Sequence, residues 1–141
     1  MLLAFIDHLL AYEIRQEWQG KAFVGYASLR FTGQSRALIG PSKWPRTCVV
    51  EVAGLKDVSG VTNLVDYAIE LSRNRNYGGI LHWGQRNESN AADIEFRFGD
   101  RNDPQNGNLG RWRQALATIT DDGERDAFSS TSTRQTGLEV R

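Results

Sequence analysis

Gly78-Gly79-Ile80-Leu81-His82-Trp83-Gly84-Gln85 is the stretch on which the reading of the fold turns. A glycine pair makes a turn, an apolar run follows, and a polar loop opens after Gln85. Read as a strand over residues 80–84, it alternates. His82 and Gly84 point to one face and Trp83 to the other, so one face carries chemistry and the other packing. Residues 21–32 have the same design, rich in aromatic and β-branched side chains. Ala27, Leu29 and Phe31 are expected to be buried on one face, with Tyr26, Ser28 and Arg30 on the other. Residues 47–55, with Cys48-Val49-Val50-Glu51-Val52-Ala53, make a further strand. Strands that each present a polar set predict a shared cleft.

Working outward, Leu2, Phe5, Ile6, Leu9, Leu10, Ile14 and Trp18 fall at helical spacing and predict an amphipathic helix over residues 2–18, stopped by Gly20. Val61, Leu64, Val65, Ala68, Ile69 and Leu71 predict a second over about residues 60–74, capped by Asp57 or Ser59. Residues 91–98 form a short helix anchored by Ile94, Phe96 and Phe98, and Asn108 caps another with Leu109, Trp112, Leu116 and Ile119 on one side. The order strand, strand, helix, strand predicts an α+β fold: an antiparallel or mixed sheet with helices packed on one face. Residues 126–141, hydroxyl-rich through Ser129-Ser130-Thr131-Ser132-Thr133, lack periodicity over most of their length and are read as an extended or disordered tail.

The length of 141 residues predicts one domain. The formal net charge of zero argues against nucleic-acid binding driven by phosphate neutralisation. Arg111-Trp112-Arg113 reads as a core tryptophan between solvated arginines. The single cysteine, Cys48, makes no disulfide framework, and His8 and His82 have no metal-ligand spacing, so no metal site is predicted. The short apolar N-terminus, interrupted by Asp7, is not read as a signal peptide, and no run reaches membrane-spanning length. A cytoplasmic location follows, or the cytoplasmic side of a membrane assembly.

Tyr26-Ala27-Ser28-Leu29-Arg30-Phe31, Val50-Glu51-Val52 and above all Leu81-His82-Trp83-Gly84-Gln85 together resemble the C-terminal part of the FAD-linked sugar-1,4-lactone oxidases. These are the D-arabinono-1,4-lactone oxidase and alditol oxidase branch of the vanillyl-alcohol oxidase superfamily. Asp93-Ile94-Glu95, the helix around Trp112 and Phe128-Ser129-Ser130 continue the resemblance, which runs from about residue 22 onward. It implies a cap domain that covers the flavin and forms the substrate pocket. It also implies FAD as cofactor, a small polyol or lactone as substrate, and an FAD-binding domain or chain as partner. By position it makes Arg30 and His82 catalytic, Tyr26, Ser28 and Gln85 substrate-binding, and His82 and Gln85 cofactor-binding. Two positions depart from the pattern. Ser28 stands where many relatives have glutamate, and Gln85 where many have lysine, so two charges leave the expected pocket. The sequence has no Gly-rich FAD-binding loop. The resemblance therefore implies the cap part of a split or truncated enzyme, inactive alone, with the full enzyme able to associate peripherally with a membrane.

Each residue also has a structural reading. Arg30 is either a pocket cation or a salt-bridge partner of Glu51 on the neighbouring strand. His82 either positions flavin or substrate, or bonds a backbone carbonyl. Gln85 binds a ligand or merely starts a loop, and Tyr26 and Ser28 line a pocket or a solvated face. A non-enzymatic α+β binding or dimerisation module, with the polar sheet face as its interface, is the alternative function. A cap cut from its context would expose sheet edge or pocket surface, which predicts a homo-oligomer.

Overall fold

The computed structural model describes residues 1–125 and 127–139. Its order is α1 (Leu2–Trp18), β1 (Gly25–Thr32), β2 (Thr47–Gly54), α2 (Ser59–Arg73), α3 (Ala91–Phe98), α4 (Asn108–Thr120) and α5 (Thr131–Thr136). The fold is α+β, with an antiparallel sheet of two strands among the described residues and helices packing against it. Where length predicts one domain, the chain divides into two compact units. One comprises Met1–Gln34 with Trp44–Leu81, the other Ser35–Lys43 with the residues from His82 on.

In the first unit, β1 and β2 pair without interruption from Gly25↔Gly54 to Thr32↔Thr47. Val50 and Val52 turn toward the helices and pack on a core of Leu9 from α1 and Leu64 and Leu71 from α2. Tyr12 and Tyr67 stack across the two helices, with ring centroids 4.1 Å apart. Asn63 Nδ2 donates to Gln16 Oε1 at 2.6 Å, giving the buried Gln16 a partner. The close approach of α2 to the chain before β1 depends on Gly60, where any Cβ would overlap the Ala22 carbonyl.

Three expectations are corrected. Leu29 and Phe31 share the face of Val50 and Val52, yet they are 45% and 74% exposed, and Ala27 is exposed as well. The helix layer covers β2 and leaves β1 bare, because only β2 packs substantially on α2. Neither Asp57 nor Ser59 caps α2: the N-cap is Val58, without a side-chain bond, and Asp57 instead turns the chain at φ 65°. Residues 80–84 form no strand.

In the second unit, α3 packs against α4 and α5. Ile94, Phe98, Leu109, Leu116 and Leu138 are buried, while Phe96 and Ile119 stay exposed. Asn90 and Asp93 form a reciprocal capping box at the start of α3. Asn108 is the first residue of α4 rather than its cap, which is Gly107. The hydroxyl-rich stretch is not extended throughout: α5 is a helix over Thr131–Thr136, opened by a Ser130–Thr133 capping box and closed by Gly137 at φ 66°. Residues 126, 140 and 141 of the tail reading lie outside the described residues.

Candidate functional site

The predicted site residues fall into two separate groups. Tyr26, Ser28 and Arg30 belong to the first unit, and His82 and Gln85 to the second.

On the first unit, the sheet face away from the helices carries a converging polar cluster. Ser28 lies directly opposite Glu51, and Tyr26 and Arg30 flank it two residues to either side. That geometry brings both flanking side chains within diagonal reach of one carboxylate. Arg30 Nη2 donates to Glu51 Oε2 at 2.8 Å, Ser28 Oγ to the same oxygen at 3.0 Å, and Tyr26 Oη to Oε1 at 3.4 Å. Arg30 is thus the salt-bridge partner of Glu51, with side-chain exposures of 70% and 36%. The pair lies in water-accessible surroundings and binds weakly. The guanidinium is 70% exposed with N–H groups beyond the one bonded to Glu51, so this face offers a cation, two hydroxyls and a carboxylate.

On the second unit, His82-Trp83-Gly84-Gln85 is a turn. Gly84 N–H donates to His82 Nδ1 at 3.1 Å, and Gln85 N–H to the His82 carbonyl at 3.4 Å. The imidazole accepts from its own backbone two residues on, and this local bond closes the chain on itself instead of leaving it extended. Asn87 Nδ2 donates to the same carbonyl. With Nδ1 accepting, the neutral ring carries its proton on Nε2, so exposed His82 presents an N–H donor. Gln85 is also exposed.

Trp83 packs as its position suggests. Its Nε1–H donates to the Ile39 carbonyl at 2.9 Å, and its ring stacks on Phe98 with centroids 6.1 Å apart. Lys43 lies against the same Phe98 ring at 5.7 Å and donates from Nζ to the Arg97 carbonyl. Burial, with the neighbouring Arg97 charge second, lowers the Lys43 ammonium below its usual range. Sequence reading missed this cluster, because Lys43 in a proline-flanked loop carries no periodic signal.

It also missed Glu139. No spacing in the serine and threonine run points to a particular acid, yet Glu139 Oε1 accepts from Ser129 Oγ, from Thr133 Oγ1 at 3.1 Å and from Ser130 N–H at 3.2 Å. The Ser129 bond chiefly, with Thr133, Arg134 and the Ser130 amide, holds its carboxyl below the ordinary carboxylate range against the opposing effect of burial. No histidine joins these groups in the bonds described, and the cluster anchors α5 rather than activating a serine.

Half-buried Cys48 has its thiol pushed up by burial, away from the reactive thiolate. Among the described residues no group of three or more His, Cys, Asp or Glu side chains is placed to hold a metal ion. No helix among them is long and apolar enough to cross a membrane. Compared with known proteins, the chain matches no family model, no curated protein and no solved structure.

Proposed function

We propose that this chain is the substrate-binding portion of an FAD-dependent oxidoreductase that oxidises a sugar lactone, alditol or similar alcohol. It works in the cytoplasm, with the full enzyme able to lie against a membrane, and together with an FAD-binding domain or chain. The observation that carries this reading, beside the resemblance, is the convergence of Tyr26, Ser28 and Arg30 on Glu51. A polyol offers closely spaced hydroxyls that both donate and accept, and this face supplies both partners. Arg30 would hold substrate oxygens and stabilise negative charge developing on the reacting oxygen.

His82 Nε2–H and the Gln85 amide suit the oxygen and nitrogen edge of a flavin as hydrogen-bond partners. The phosphates and adenine need groups beyond these residues, since the sequence has no Gly-rich loop to cradle them. When bound, the flavin supplies an acceptor for the hydride leaving the carbinol carbon.

The test mixes the chain with a candidate FAD-binding domain from the same genome and follows lactone- or alditol-dependent reduction of an acceptor. The proposal expects turnover by the mixture and none by either part. Turnover by the chain alone, or none by a mixture shown to hold FAD, overturns it.

A second reading, a non-enzymatic binding or dimerisation module, is favoured by one observation. The apolar side chains of β1, Leu29 and Phe31, are exposed on a strand that, among the described residues, pairs along one edge only. A stable homodimer that takes up no FAD with any candidate partner would support it over the first.

A further inference from the structure

We infer that two copies of this chain associate through β1, edge to edge and antiparallel about Leu29, extending the sheet to four strands. The inference names the partner for the second reading and rests on that reading's open strand; it needs no flavin.

The backbone phase comes first. Leu55 N–H donates to the Val24 carbonyl at 3.0 Å, and that pair continues the β1–β2 register. In an antiparallel ladder each strand turns alternate residues toward its partner. Val24, Tyr26, Ser28 and Arg30 therefore direct their amides and carbonyls at β2. Ala27, Leu29 and Phe31 direct theirs at the open edge. These same residues carry the exposed apolar side chains.

Natural sheet edges are usually blunted by lysine, proline, bulges or short length. β1 has none of these: it runs for eight residues, Gly25–Thr32, in unbroken register with β2. Its one charge, Arg30, is paired with Glu51. A strand left bare in this way templates another strand.

The strand fits its own inverse. Only registers that set outward-turned residues opposite one another keep apolar and polar faces aligned. Centred on Leu29, the pairing sets Leu29 against its copy and Phe31 against the small Ala27. It also sets Arg30 against Ser28 and Tyr26 against Thr32. Large meets small on the apolar face, and no like charges meet on the polar one. Centring on Arg30 would oppose two guanidinium groups, which is destabilising. Centring on Ser28 would set Phe31 against Gly25, where no side chain covers the ring. The complementarity selects a second copy as occupant and one register for it. Residues 26–32 pair in this register, a strand contact of about 24 Å, seven residues at about 3.4 Å each, and so a small interface. The dimer is therefore expected in the micromolar range.

Sedimentation velocity across a concentration series tests association, and electron–electron distance measurement tests the register. A nitroxide at position 32, as Thr32→Cys in a Cys48→Ser background, should show a backbone separation of about 20 Å across the dimer. Centring on Arg30 would give about 14 Å. Leu29→Lys places like charges at the two-fold axis and should weaken the dimer about tenfold or more. Leu29 is half-exposed, so the variant should keep its circular dichroism spectrum. A concentration-dependent dimer with the longer separation, weakened by Leu29→Lys, is the expected result. A monomer at every concentration overturns both this inference and the dimerisation reading. A dimer indifferent to Leu29→Lys, or with another separation, overturns this inference alone and leaves that reading standing.

Discussion

Replacing Glu51 by alanine removes the acceptor on which the polar face of the sheet converges. The cost follows from the three bonds. Ser28 Oγ, partly buried at 3.0 Å, contributes about 1 kcal/mol. The ion pair at 2.8 Å is discounted for solvent, because Arg30 is 70% exposed, and contributes about 0.5 kcal/mol. The exposed Tyr26 contact at 3.4 Å adds nothing measurable. Glu51→Ala should therefore cost about 1.5 kcal/mol, slightly more than tenfold in the folding equilibrium. Urea unfolding of the wild type, Glu51→Ala, Arg30→Ala and the double variant gives the cycle. The expected Arg30–Glu51 coupling is about 0.5 kcal/mol and shrinks as salt is raised. A loss above about 3 kcal/mol would refute the reasoning, because only a desolvated network reaches that size. A coupling of zero would mean that the ion pair adds nothing to stability, leaving only the Ser28 bond as the cost of Glu51→Ala.

Three further outcomes are expected. Gly60→Ala should destabilise the first unit by about 1–3 kcal/mol in urea, because the new Cβ meets the Ala22 carbonyl and the backbone must shift; an unchanged midpoint would contradict that packing. Trp83→Phe keeps the stack on Phe98 but loses the bond to the Ile39 carbonyl, and should cost about 1–2 kcal/mol by chemical denaturation. Glu139 has a lowered folded-state pKa, so its stabilising effect is present above the ordinary value of 4.5 and is lost as pH falls through the lower folded value. Amide protection factors over residues 129–138, corrected for the intrinsic exchange rate at each pH, should therefore fall in acid below 4.5 in the wild type, and those of Glu139→Gln should be low already at neutral pH. Protection that ignores both acid and the substitution would remove Glu139 as the anchor of α5.

Much of the first unit was legible because its signals are local and long. The helical spacing from Leu2 to Trp18 and from Val61 to Leu71, and the β-branched run around Val50, each specify their element without tertiary help. The faces of β1 were legible too, and Glu51 was in view as the partner of Arg30. Burial was not, because alternation says which residues share a face and not whether another layer covers it. Leu29 and Phe31 have the pattern of a core strand but no helix over them. The His82 turn was hidden because a short apolar run before it is compatible with a strand. The competing bond from Gly84 N–H to the imidazole is a property of one side chain, not of a period. α5 was hidden for a related reason. Six residues are too few to show helical periodicity, and Glu139, which ties it down, comes after the helix.

The central claim is that this chain serves a flavin-dependent reaction together with an FAD-binding partner. An FAD fluorescence titration tests it most directly, with the chain alone, the candidate FAD-binding domain alone, and both together. The account predicts that adding the chain to the FAD-loaded domain changes flavin fluorescence saturably, and that His82→Ala or Gln85→Ala reduces the change. Flavin fluorescence that is the same with and without the chain would contradict it, and would leave His82 as a turn residue and Arg30 as the surface partner of Glu51.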